Sequence, residues 1–164
     1  MSARKRYRPR QITFDTLGVA LRRAAKPPAA DREEILSLLH LAHKALREGV
    51  ATELQWSIIA GAVDVSLAIE RQGVVRGLQE HLKSAEHALQ SVYDRAMLAG
   101  SWKPTSLHYQ ELDAVLTFVD LHTFQVNQLG RAELLKAIGI ATRQVTNSGA
   151  NVNVVHDLST LQAC

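Results

Sequence analysis

Residues 78–99 read LQEHLKSAEHALQSVYDRAMLA. Within them Leu78, Leu82, Ala85, Leu89, Val92, Ala96 and Ala99 follow one another at steps of 4, 3, 4, 3, 4 and 3. This spacing keeps one side of an α-helix apolar through three heptad-like repeats. Small residues at alternate steps suit close packing inside a bundle, and Gly100 marks the end of the run. A seam of this kind is stable only against other apolar faces, so the flanking segments must supply the rest of a core.

The flanking segments carry matching patterns. A helix opening at Asp31, with Glu34 at capping-box spacing, presents Ile35, Leu38, Leu39, Ala42 and Leu46, and Gly49 is placed to end it in a left-handed cap. A second opens at Thr52 with Gln55 three residues on. Its stripe is Leu54, Ile58, Gly61, Ala62, Val65 and Ile69, and Gly73 closes it. Gly61 and Ala62 in mid-stripe should admit a neighbouring helix closely. Beyond the seam, Trp102-Lys103-Pro104 makes a turn, and a helix from Thr105 or Ser106 carries Leu112, Val115, Leu116, Val119, His122 and Val126. Phe118, Leu121 and Phe124 widen that face, which predicts the most buried helix of the set. Gly130 separates a last helix with Leu134, Leu135, Ile138, Ala141 and Val145.

Five helical segments joined by short Gly- or Pro-marked turns give antiparallel neighbours. The expected fold is an all-α, single-domain bundle of about five helices over 29–146. A basic N-terminal arm with a short amphipathic helix (1–28) precedes it, and a polar C-terminal tail (147–164) follows. Residues 151–154 alternate polar and apolar as a short strand would, but the composition around them predicts a poorly ordered tail. The 78–99 seam would serve as an internal core or as a homodimer face, and the internal core is expected.

The chain has 164 residues, 46% hydrophobic, 21% charged and 5% aromatic, enough apolar material for one core and too much for a wholly disordered chain. One cysteine, Cys164, excludes a disulfide scaffold and suits a reducing compartment. No apolar run approaches the ~18 residues that span a bilayer, and the mixed residues 11–21 do not form a secretory signal core. A cytoplasmic protein without membrane contact is expected.

The net charge of +3 conceals a division. Residues 1–26 hold eight basic residues against Asp15 alone, net +7, while the remainder holds 11 basic and 15 acidic residues, net −4. Arg4, Lys5, Arg6, Arg8 and Arg10 crowd the arm with Tyr7 among them. A helical pattern (Phe14, Leu17, Leu21) then runs to Arg22 and Arg23 before Lys26-Pro27-Pro28 breaks it. Arg4, Lys5, Arg6, Tyr7, Arg8, Arg10, Arg22 and Arg23 are therefore the candidate binding residues. Arginine grips phosphate bidentately and stacks on bases, and Tyr7 can add stacking, so nucleic acid is one partner class. The same cations suit an acidic protein surface, and a solubilising tail needs no partner.

Catalytic constellations are weak by comparison. His40 and His43 are three apart with Leu41 and Ala42 between them, lacking the carboxylate and four-residue spacing of a zinc-protease helix. They are expected as two half-exposed side chains beside the core. Asp120 and His122 point apart on a helix, and His122 on the apolar stripe reads as a core histidine satisfied by a neighbour. Cys164 sits on a terminal tail without a base, and no glycine-rich phosphate loop is present. Neither enzyme, metal nor cofactor is expected.

The segment Lys5-Arg6-Tyr7-Arg8-Pro9-Arg10 resembles the start of a family of small uncharacterised proteins encoded by phages and integrative mobile elements of proteobacteria. The likeness continues at 46–52, Glu70-Arg71-Gln72-Gly73, Ala88-Leu89, 95–100, Glu111-Leu112-Asp113-Ala114, Asp120-Leu121-His122 and Ala132-Glu133-Leu134, spanning roughly residues 4–145. The resemblance implies a context: a single-domain protein that binds a host protein or ribonucleoprotein complex one to one, as inhibitors of host defence such as anti-CRISPR proteins do. A DNA-binding accessory role is the other implication. It transfers no functional residues.

Overall fold

The computed structural model describes residues 25–149. They form five helices and no strand: α1 (Ala29–Arg47), α2 (Glu53–Gln72), α3 (Gln79–Ala96), α4 (Tyr109–Gln128) and α5 (Arg131–Asn147). The fold is the expected all-α bundle.

The arrangement follows from α2. Its buried residues, among them Ile59, Val63, Ser66, Leu67 and Ile69, do not lie on one stripe, and all four other helices pack against it. Its first half joins Leu39, Leu46, Leu82, Leu89, Val115 and Phe118 in the main core. Its last turn joins Leu129, Leu134 and Ala137 in a smaller one. Of the stripe read from sequence, Ile69 is buried as expected, while Leu54, Ile58, Gly61, Ala62 and Val65 are only partly buried, the last four because they face between α1 and α5 at the edge of the main core. Nor is α4 the most enclosed helix: it packs on three neighbours and leaves Leu116 and Phe124 47% and 52% exposed.

The seam is an internal core: Leu82, Ala85, Leu89, Val92 and Ala96 are buried, joined by Ala88. Its ends differ from expectation. Leu78 is the N-cap, and Ala99 is exposed in the turn beyond the helix. The Lys103 N–H donates to the Ala96 carbonyl at 2.9 Å and Gly100 takes φ 77°, so the chain leaves the helix early.

Other boundaries also shift. α1 starts at Ala29 with Pro28 as N-cap, so Asp31 lies in the first turn and caps nothing. α4 starts at Tyr109, not near Thr105, because Glu111 accepts the His108 N–H at 2.8 Å and so fixes the cap there. On α5, Leu135 is 57% exposed and Ala137 takes the core position. That helix runs to Asn147, with Ser148 as its C-cap, so residues 147 and 148 belong to the helix end and not to a tail. The α2 capping box is present as read: Thr52 N–H to Gln55 Oε1 at 2.9 Å and Gln55 N–H to Thr52 Oγ1 at 3.2 Å. At Gly49 (φ 73°) the α1 end closes as a Schellman turn, with Val50 N–H on the Ala45 carbonyl.

One ionic contact ties the long 97–108 connection to both helices beside it. Arg95 of α3 donates through both terminal nitrogens to the two Glu111 oxygens at 2.6 Å, and also to the Ser106 carbonyl at 3.2 Å. Burial alone would raise the Glu111 pKa. The Arg95 and Ser91 side chains, the His108 N–H and the Arg95 charge outweigh burial and hold it at about 2. Nearby, Trp56, Tyr93 and Trp102 cluster with ring centroids 4.8–6.1 Å apart, and the Trp102 indole donates to the Ala51 carbonyl.

Arg95→Ala strands a carboxylate that is only 8% exposed, so it should cost about 3 kcal/mol. Urea unfolding checks this, and Arg95→Lys should recover part of the loss because it keeps the charge without the two-pronged geometry.

Candidate functional site

The arm residues Arg4, Lys5, Arg6, Tyr7, Arg8, Arg10, Arg22 and Arg23 all lie outside the described residues, as do Cys164 and residues 151–154. What the structure gives is the place from which the arm departs. The Arg131 N–H donates to the Ala25 carbonyl at 2.8 Å, the Lys26 ammonium donates to the Asn127 carbonyl at 3.0 Å, and Pro27 is buried. The base of the arm is thus fixed at the α4–α5 turn, where α1 and α5 both begin. Sequence reasoning missed this anchor, since nothing local pairs residues 25 and 26 with a turn a hundred positions away.

From that end an apolar slot of about 200 Å³ opens between α1 and α5 with α2 as its base. Ile35 and Leu38 form one wall, Leu134 and Ile138 the other. Ile58, Gly61, Ala62 and Val65 line the base, the face that the sequence presents as a helix stripe. A Cβ placed on Gly61 meets nothing within 4 Å. The close helix approach expected at Gly61 is therefore not made by any described helix.

One polar group reaches this slot. His122 of α4 is 3% exposed, and its Nδ1 lies 2.6 Å from the hydroxyl of Ser66, which is fully buried. Burial, with a smaller effect from the charge of His40, pushes the His122 pKa down to about 4, so the ring is neutral at pH 7. Ser66 is the satisfying neighbour expected of a core histidine, a partner that no sequence spacing indicates, being 56 residues away. The Gln125 amide donates to the Ser66 carbonyl at 3.5 Å. The arrangement has a hydroxyl and an imidazole within bonding distance, but both are enclosed. A nucleophile must be reached by its substrate, so the pair reads as a buried polar bond.

His40 and His43 are not the matched half-exposed pair expected. His40 is exposed, while His43 is 9% exposed with its Nε2 unpaired among the described residues. Burial first, then Arg47 and His40, lower the His43 pKa against the opposing pull of Asp120. Asp120 itself is exposed, pointing away from His122 as the two-residue spacing requires. Among the described residues no three His, Cys, Asp or Glu side chains gather as a metal set, and no helix is long and apolar enough to cross a membrane. No protein-family model, curated protein or solved structure matches this chain.

Burial lowers the pKa of both rings below the 6.5 of the unfolded chain. Their contribution to stability is complete above pH 6.5 and declines as the pH falls below it; for His122 the loss runs on to about pH 4 and reaches about 3 kcal/mol. Thermal melts from pH 7.5 to 4 should show this loss. His122→Gln should be less stable at pH 7.5 yet flatter through that window.

Proposed function

We propose that this chain is a non-enzymatic accessory protein of a mobile element that acts in the cytoplasm by stoichiometric binding to a host protein or ribonucleoprotein complex, as an inhibitor of host defence of the anti-CRISPR kind. The observation that carries this reading is the division of charge: net +7 on residues 1–26 against net −4 on the rest. A cationic arm fixed at one end of an acidic helical body presents two opposite surfaces to one partner. The arm grips acidic groups, and the body competes for a surface that otherwise takes nucleic acid. The family resemblance through residues 4–145 supports the mobile-element setting.

Capture from a host lysate with the full chain as bait, followed by reconstitution with the recovered complex, tests the reading. A saturable one-to-one complex that weakens at least tenfold when Arg4, Lys5, Arg6, Arg8 and Arg10 are all changed to Ala is the expected result. Recovery of nothing above background after cross-linking refutes it.

Five cations within residues 4–10, with Tyr7 among them, favour a second reading in which the arm contacts nucleic-acid phosphates. Affinity for duplex DNA should then fall with salt at a log–log slope of roughly −3 to −5. Salt-independent binding would leave this reading without support.

A further inference from the structure

We infer that the slot between α1 and α5 is the seat of this chain's own residues 13–24, docked as a helix with Phe14, Leu17 and Leu21 inward. Three observations support this occupant. The first is where the described chain ends: Ala25 is bonded to the first residue of α5, at the mouth of the slot and level with the last turn of α2, whose Gln72 amide reaches the Glu133 carbonyl at 3.5 Å. The preceding residues therefore leave from the slot's open end.

The second is length. The base of the slot from Val65 back to Ile58 extends about 10 Å along α2, the same rise as the two helical turns from Leu21 back to Phe14, and residues 22–24 then cover the distance to Ala25 at the mouth. A helix entering at Ala25 runs alongside α2 in the same direction and antiparallel to both walls. To within a turn, that sets Leu21 beside Val65, Leu17 and Gly18 beside Gly61 and Ala62, and Phe14 beside Ile58.

The third is chemical fit. Phe14, Leu17 and Leu21, the three largest apolar residues of the segment, share one helical face, while Thr13, Asp15, Thr16, Arg22 and Arg23 supply its polar groups. Gly18 facing Gly61 brings two backbones together where the base of the slot is open above Gly61. Arg22 and Arg23 fall at the mouth, where the first turns of α1 and α5 carry Asp31 and Glu133. Docking would turn 13–24 into a sixth helix and leave residues 4–10 projecting from a fixed point. This holds whichever partner the arm takes.

Cysteine pairing in the full chain tests this. With Cys164→Ser as background, Leu17→Cys with Ala62→Cys should form an intramolecular disulfide at least tenfold faster than Leu17→Cys with His81→Cys, whose second site is exposed on α3. Equal rates overturn the proposal, and so does a disulfide-linked dimer, which would assign the slot to a second copy. Hydrogen exchange on the unaltered chain gives an independent reading. Amides of residues 16–23 should exchange at least tenfold more slowly than those of 4–10, and the difference should vanish in Ala62→Glu. Uniformly fast exchange through residue 23 overturns the proposal.

Discussion

α2 carries apolar residues on more than one side, and a helix of that composition is stable only when surrounded. Ile59, Val63 and Leu67 require one cover, Ala68 and Ile69 another, and Ile58 and Val65 a third. The other four helices are placed by this demand: α1 and α5 on its flanks, α3 and α4 on its remaining side, packed also on one another. The slot is where the demand is least fully met by the described residues. His122, bonded to the fully buried Ser66, also lines it, and a bond of that kind is stronger, and costlier to break, away from water.

Much of this was legible in the sequence, because helices report themselves through spacing. The seam from Leu82 to Ala96, the Thr52–Gln55 box and the left-handed glycines at 49 and 73 are local signals, each decided within a few residues, and each is found in place. The errors share one cause. A stripe chosen by best periodicity assumes a single buried face. α2 has several, so the stripe through Ile58 and Val65 leaves out Ile59 and Val63, which are the more deeply buried. At Ala99 and Thr105 the pattern was continued into a connection that Arg95, Glu111 and Trp102 hold in another shape. Those contacts join residues many positions apart, and no periodicity encodes them.

The candidate site divides in the same way. The charge of the arm is a property of composition and needs no structure to be seen. Where the arm is rooted depends on Ala25, Lys26, Asn127 and Arg131, a set that only the folded chain brings together. Ser66 is likewise invisible in advance: a serine among apolar residues marks nothing until its partner on α4 is known.

The root of the arm also bears on the order in which the protein can be completed. The bond from Lys26 to the Asn127 carbonyl spans 101 residues. During synthesis Lys26 emerges well before its attachment point, which exists only after the α4–α5 turn has followed, by which time most of the body has been made. This closure and the still longer one between Ala25 and Arg131 carry the highest chain-entropy cost among the contacts at the α4–α5 end. The base of the arm can therefore be fixed only late as the nascent protein matures.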